Sequence, residues 1–458
     1  MIHHFGLGPY VTYVVYFAGG VAFLLSIFWR PIVGIYYIVP LIPLQTLRYS
    51  LIGLPFGQSI VDIILLGVLL GLLARGQPIL PKTPWNTVLL VYAIFTFVSL
   101  CLGSLYLRSG LPFSLTNIDP RLADWKNYMV MPMVLLLTAA TVRETRQMKI
   151  LIAVMCVAVL LVDSSFWDTV SGRDFSSFAY DLQDEGDAGY AGVNGLAAFE
   201  AQITVFLLAL VVFERKRLFY LAYAALAIFS GTCLMYSLSR GGYLAILGGC
   251  LFVGLVKERK LLLLLAVFAY SWSSLVPTAV QQRVQMTYDR TEGKLDHSAQ
   301  VRVDLWEEGL QLFQAHPVLG LGFDTYAYTK HVHGYQDSHN IYMKVLVETG
   351  IVGLLLFLLL LAKTFLTGYR LFRHARDPFL SSLGLGLAAW MVSAAIANFF
   401  GDRWMYLQID GYLWVIAGLV SRGWLLEQES ASASAAVGIV GARDTVPEAL
   451  QPVVSGVA

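Results

Sequence analysis

The run AGVNGLAAFEAQITVFLLALVVF (191–213), the tetrad ERKR (214–217) and the run LFYLAYAALAIFSGTCLMYS (218–237) decide the fold. Each apolar run has the roughly 20 residues that a helix needs to cross bilayer hydrocarbon. The four charges between them belong in water, so the chain crosses, turns and crosses back. Helix is the form such runs take, because backbone groups in lipid must pair within their own segment.

The pattern repeats along the chain. Similar runs lie near 10–28, 31–48, 58–74, 86–106, 128–142, 148–165, 243–256, 261–276, 339–361, 379–400 and 405–421. Of 458 residues, 57% are apolar and 13% charged. Soluble domains carry about 25% charged residues, so a soluble globular domain is excluded. A net charge of +1 leaves no broad basic face for nucleic acid. The run at 31–48 is the weakest, since Pro40 and Pro43 interrupt it. Cys101, Cys156, Cys233 and Cys250 all fall inside apolar runs and read as small core residues, not as a disulfide framework. MIHHFGLGPY lacks a basic n-region, so the first run is expected to stay as an anchor.

The expectation is therefore an all-α, polytopic transmembrane helical bundle of about 12–13 spans. Residues 1–276 hold spans one to ten. Residues 277–338 form a large, partly helical extracytoplasmic loop, and 339–426 hold the last three spans. Residues 427–458, rich in Ala, Ser, Val and Gly, read as a disordered cytoplasmic tail. Arg30, Arg75 with Lys82, and the clusters at 143–146, 214–217, 257–260 and 363–376 fall on one side, which the positive-inside rule makes the cytoplasm. The longer loops 107–127, 166–190 and 277–338 then lie outside. No convincing internal repeat argues for a two-halved transporter.

The chemistry concentrates in 277–361. In SAQVRVDLWEEGLQLFQAHP (298–317), helical spacing makes Val301, Leu305, Leu312 and Phe313 the apolar contacts and sets Arg302 and Trp306 on one face. Pro317 ends that helix, and Gly320-Leu321-Gly322 permits a tight turn and close approach of another chain or ligand. Asp337-Ser338-His339-Asn340 then runs into a long apolar helix. Ser338 reads as its N-cap, with His339 in the first turn, where the helix dipole favours a neutral imidazole suited to a general base. The alternative is that His339 is only a polar residue at an interface. Ser237-Leu238-Ser239-Arg240-Gly241-Gly242 puts an arginine between two outer-side span ends, where it either snorkels to water or grips an anion with its planar fork. Lys344 and Glu348, four apart, are expected to neutralise each other, with donor contact as a second role for Lys344. His331 and His333 with His339 are a weaker candidate for a metal site. Glu200, Asp62 and Asp410 lie inside spans without an assigned role. Trp404, Tyr406, Tyr412 and Trp414 read as interface anchors.

The ordered combination SLSRGG, an Arg and a Trp ahead of HPVLGLGFDTY, and SHNIYMKVLVETGIVG resembles the signature of the O-antigen ligase and polymerase family. That family attaches or polymerises lipid-linked surface glycans in bacterial inner membranes. The match is strongest over 237–361, with weaker echoes in GVNGLA (192–197) and from Asp119 to Pro132. The resemblance implies a multi-pass glycosyltransferase with its site facing the periplasm. Arg240 and Arg302 would grip the diphosphate of an undecaprenyl-diphosphate-linked glycan, and His339 would activate the acceptor hydroxyl. Ser239, Trp306, Asn340 and Lys344 stand as supporting residues. No cofactor or metal is implied, and the chain contains no D-x-D triplet. The acceptor would be lipid A-core, a growing polysaccharide or a protein hydroxyl, and from another class the rival is a flippase for the same lipid-linked glycan. Extra His331, His333 and Asp337 depart from the family pattern next to the acceptor side.

Overall fold

A computed structural model describes residues 8–110, 112–113, 119–186, 189–190, 192–286, 288–289, 294–332 and 338–443. The helices are α1 (Gly8–Phe28), α2 (Ile32–Leu41), α3 (Gln45–Ser50), α4 (Ile60–Leu73), α5 (Asn86–Tyr106), α6 (Pro120–Thr141), α7 (Thr145–Val170), α8 (Val193–Phe213) and α9 (Arg217–Tyr236). They continue with α10 (Arg240–Val256), α11 (Arg259–Tyr270), α12 (Trp272–Leu275), α13 (Thr278–Gln285), α14 (His297–Ala315), α15 (Ile341–His374), α16 (Pro378–Phe399) and α17 (Leu407–Arg443). A two-residue antiparallel pairing, Tyr288–Asp289 with Lys294–Leu295, is a minor addition to an all-helical bundle.

Every expected apolar run lies on a helix. Among the described residues, seven helices (α1, α5, α7, α8, α9, α15 and α16) are long and apolar enough to cross a membrane. The others in the expected set fall short for visible reasons. Ile32–Leu41, Gly57–Leu73 and Arg240–Val256 are apolar but shorter. The first turns of α6 carry Arg121, Asp124 and Lys126, so the outer loop expected to reach residue 127 gives way to helix at Pro120. There Asp119 caps by accepting from the Arg121 N–H.

Burial sorts the helices. α8 and α16 are buried on nearly every face and pack on one another, on α10 and, for α16, on α15. A helix that is apolar all round belongs at the centre of a bundle. α11 has no buried residue, and α9 buries few, so both lie at the periphery. Trp404, Tyr412 and Trp414 are buried in the core, which corrects their reading as interface anchors. The Trp404 indole N–H donates to the Tyr128 hydroxyl at 2.7 Å, giving its polar end an internal partner. Cys233 and Cys250 are buried and all four cysteines are free thiols.

The basic turns gather at one end. Arg75 donates to the carbonyls of Ile27 (2.8 Å) and Trp29 (2.6 Å), Arg143 to Gln77 (2.8 Å), and Arg422 to the Arg143 carbonyl (3.3 Å). The tail expected to be disordered from 427 continues α17 to Arg443. Ala and Ser at 431–436 supply helix propensity at little side-chain cost; 444–458 lie outside the described residues.

At the opposite end the Gly320–Gly322 turn docks backbone to backbone on α15. Leu321 N–H donates to the Val347 carbonyl at 3.0 Å, Gly322 N–H to Glu348 at 2.7 Å, and Ile351 N–H to Pro317 at 2.9 Å. α15 breaks at Gly350, whose φ of 64° is left-handed, and a Cβ there would sit 2.3 Å from the Val318 carbonyl oxygen. The close approach expected of the two loop glycines is thus made to this chain's own helices. A second tie comes from Arg121, fully buried, which donates to Ser104 and Thr325 at 2.8 Å each and pairs with Asp119.

Candidate functional site

Two cavities open at this end of the bundle. The smaller, about 390 Å³, is lined by Arg240, Arg283, Arg302 and Arg403, with Ser239 and Trp306. Arg240 is the first residue of α10, and Ser239 caps that helix by accepting from the Gly242 N–H. The Ser239 hydroxyl itself donates to Asn194 Oδ1 at 2.7 Å, joining SLSRGG to GVNGLA. α14 carries Arg302 and Trp306 one turn apart into the same cavity.

The arginines are held differently. Arg240 pairs with Asp296 at 2.7 Å, and Arg283 reaches the same carboxylate oxygen at 3.5 Å. Asp296 is fixed as the N-cap of α14 through the Ala299 N–H. Arg283 also lies over the rings of Phe178 (5.0 Å) and Tyr180 (5.6 Å). Arg302 Nη1 donates to the carbonyl and hydroxyl of Ser298, both at 2.8 Å, while its Nε is buried without a hydrogen-bond partner. Burial lowers the Arg302 pKa from its ordinary value, and the like charges of Arg240 and Arg403 lower it further. Arg283 is lowered likewise, by burial and then by Arg240. Arg403 is buried, its backbone N–H donates to Asn398, and no described acceptor meets its guanidinium. Among the described residues, four guanidiniums line this cavity and one carboxylate, Asp296, is shared by two of them; the chamber is cationic and partly desolvated, the kind of site that favours a multiply charged anion.

The sequence pointed to Arg240 and Arg302, and they share this cavity. It missed Arg283 and Arg403. The usable signal for Arg403 was a basic residue in the short turn 400–406, on the side from which basic residues are otherwise depleted.

His339 is half-buried beside the cavity without lining it. It has φ 52°, and the residue before it, Ser338, accepts the Trp306 indole N–H on its carbonyl at 2.9 Å. The helix cap is Asn340, whose Oδ1 accepts from the N–H groups of Tyr342 (2.9 Å) and Met343 (3.2 Å). This corrects Ser338 as the N-cap and moves His339 one step outside the helix. Ser338 instead turns inward and donates to the Asn340 carbonyl at 2.9 Å.

Lys344 belongs to the larger cavity, of about 1140 Å³. It pairs with Asp402 at 2.9 Å and Asp324 at 3.3 Å, and Glu348 accepts from the backbone N–H groups of Asp324 and Tyr326; Lys344 and Glu348 attract each other as expected, but the direct contacts of both are tertiary. Asp62 lines the same cavity and pairs with Lys126 at 2.5 Å. Glu200 and Asp410 are buried and line neither cavity. His331 Nδ1 meets Glu308 at 2.6 Å; His333 and Asp337 lie outside the described residues.

Residues 224–358 match the family model described as O-antigen ligase. That segment, under a third of the chain, is similar to the O-antigen ligase family. No curated protein matches the chain. The matched segment contains Arg240, Arg283, Arg302 and His339, whereas Arg403 is supplied from beyond it by the α16–α17 turn. That similarity, in a chain with seven helices long and apolar enough to cross a membrane among the described residues, points to a glycosyltransferase-like activity.

Proposed function

We propose that the protein transfers a glycan from an undecaprenyl-diphosphate donor to an acceptor hydroxyl, lipid A-core or a growing polysaccharide, on the periplasmic face of a bacterial inner membrane. The observation that carries this reading is the set of four arginines lining one cavity beside the span ends. A lipid diphosphate can slide in laterally with its tail in the bilayer and its charge among the guanidiniums.

The reaction needs little else. The acceptor oxygen bonds to the anomeric carbon as the anomeric carbon–oxygen bond to the diphosphate breaks. The electron pair leaves on a diphosphate that is already acidic, so no general acid is required. Charge building on that leaving group is stabilised by preorganised cations, Arg240 and Arg302 foremost. The acceptor proton goes to His339, whose backbone is held in a left-handed conformation next to the Trp306–Ser338 hydrogen bond. Asp296 pairs with Arg240 and Arg283 and limits the repulsion among the arginines.

His339→Ala tests the assignment. Transfer is expected to stop while lipid-linked donor accumulates in the membrane. Unchanged transfer would remove His339 as the base.

A further inference from the structure

We infer that the larger cavity seats the acceptor, and that the part of the acceptor inside it is a hydroxyl-rich glycan free of phosphate. The inference rests on the arginine cavity being the donor site. At about 1140 Å³ the larger cavity exceeds the usual range for a small molecule and has room for several sugar rings.

Its charge is of the wrong sign for a phosphorylated ligand. Lys126 is taken by Asp62, and Lys344 is shared by Asp324 and Asp402. Asp124 and Glu185 line the cavity as further carboxylates, with Arg48 the one remaining lining cation among the described residues. Phosphate would meet a surplus of negative charge here, whereas sugar hydroxyls donate well to carboxylates.

The second observation is independent of the acids. Gln408 is 8% exposed, lines the cavity, and its side-chain amide has no hydrogen-bond partner among the described residues. Lining the cavity without an internal partner, the amide is available to the polar groups of a ligand seated there. Gln45, 3% exposed, also lines the cavity and uses its Nε2 on the Ile42 carbonyl at 3.2 Å, leaving its oxygen to accept. An amide that both donates and accepts, next to carboxylates that accept, is the complement of neighbouring hydroxyls.

Position completes the case. Asp402 lines this cavity and Arg403 the arginine cavity, so consecutive residues of one turn face the two chambers. An acceptor seated against Asp402 is one backbone turn from a diphosphate seated against Arg403. Most of the acceptor wall, on α3, α4, α6 and α17, lies outside the matched segment 224–358. Acceptor choice is thus written in a different part of the chain from the donor grip.

The test is binding to the full-length protein in nanodiscs by calorimetry. The probe is the host strain's repeat-unit oligosaccharide, released from its lipid diphosphate by mild acid. Wild type is expected to bind it, and Gln408→Leu and Asp124→Asn each to weaken it about fivefold or more. Arg240→Ala is expected to leave oligosaccharide binding intact while weakening undecaprenyl diphosphate. Absence of oligosaccharide binding to wild type, or equal binding in both cavity variants, would overturn the acceptor assignment. So would phosphorylated lipid A-core oligosaccharide that binds wild type and is lost in Gln408→Leu. Undecaprenyl diphosphate binding that survives Arg240→Ala sinks the donor reading alone, because the Gln408 comparison is read with a ligand that has no diphosphate.

Discussion

Arg403→Gln separates a side chain kept for function from one kept for folding. No described acceptor meets the Arg403 guanidinium, and it shares a chamber of about 390 Å³ with three other arginines. Two like charges about 10 Å apart repel by about 1.7 kcal/mol at an effective dielectric of ~20. Removing one charge therefore relieves the empty site. With a diphosphate bound the sign reverses: a hydrogen bond to a charged partner contributes about 1.5–3 kcal/mol, or about 10- to 150-fold in affinity. Thermal melting in detergent, with and without undecaprenyl diphosphate, reads both terms. The empty variant should melt at or above the wild-type temperature, and the stabilisation given by the ligand should shrink sharply. A variant that melts lower when empty yet gains the full ligand shift would refute the reasoning, because it would make Arg403 a structural residue.

Two further perturbations probe the same frame. Arg240→Lys should cut transfer strongly while leaving the protein folded, since an ammonium cannot hold Asp296 and a phosphate through two parallel bonds; transfer rates at matched expression decide it, and full activity would favour a merely snorkelling Arg240. Gly350→Ala should destabilise by at least about 1–3 kcal/mol from the left-handed backbone alone, with a further clash against the Val318 carbonyl; an unchanged melting temperature would mean that the α15 break is not needed.

How much of this was legible in the sequence follows from the range of the forces involved. Spans are legible because lipid imposes length and apolarity on each helix separately, and every expected run carries one. α2 is short because Pro40 lies inside it and Pro43 follows closely. What depends on tertiary contact was read less well. Lys344 has Glu348 four residues away, yet it pairs with Asp324 and Asp402, which the Gly320–Gly322 dock and the α16–α17 turn bring to it. Ser338 and Asn340 are both good caps, and the choice was made by the chain reversal at His339. Arg240 and Arg302 stood out because each belongs to a motif. Arg283 and Arg403 did not, since an isolated arginine in a loop reads as solvated until the fold shows what it faces. The same holds for Gln408, unremarkable in sequence and buried against a cavity in the fold.

If guanidiniums from separate parts of the chain act on one lipid diphosphate during glycosyl transfer, purified protein in proteoliposomes with lipid-linked glycan donor and acceptor glycan will show it. One undecaprenyl diphosphate is expected to be released for each glycosidic bond formed, with both products lost in Arg302→Gln. Donor that crosses the bilayer with its sugar–diphosphate bond intact, and no new linkage, would contradict it and point to a flippase.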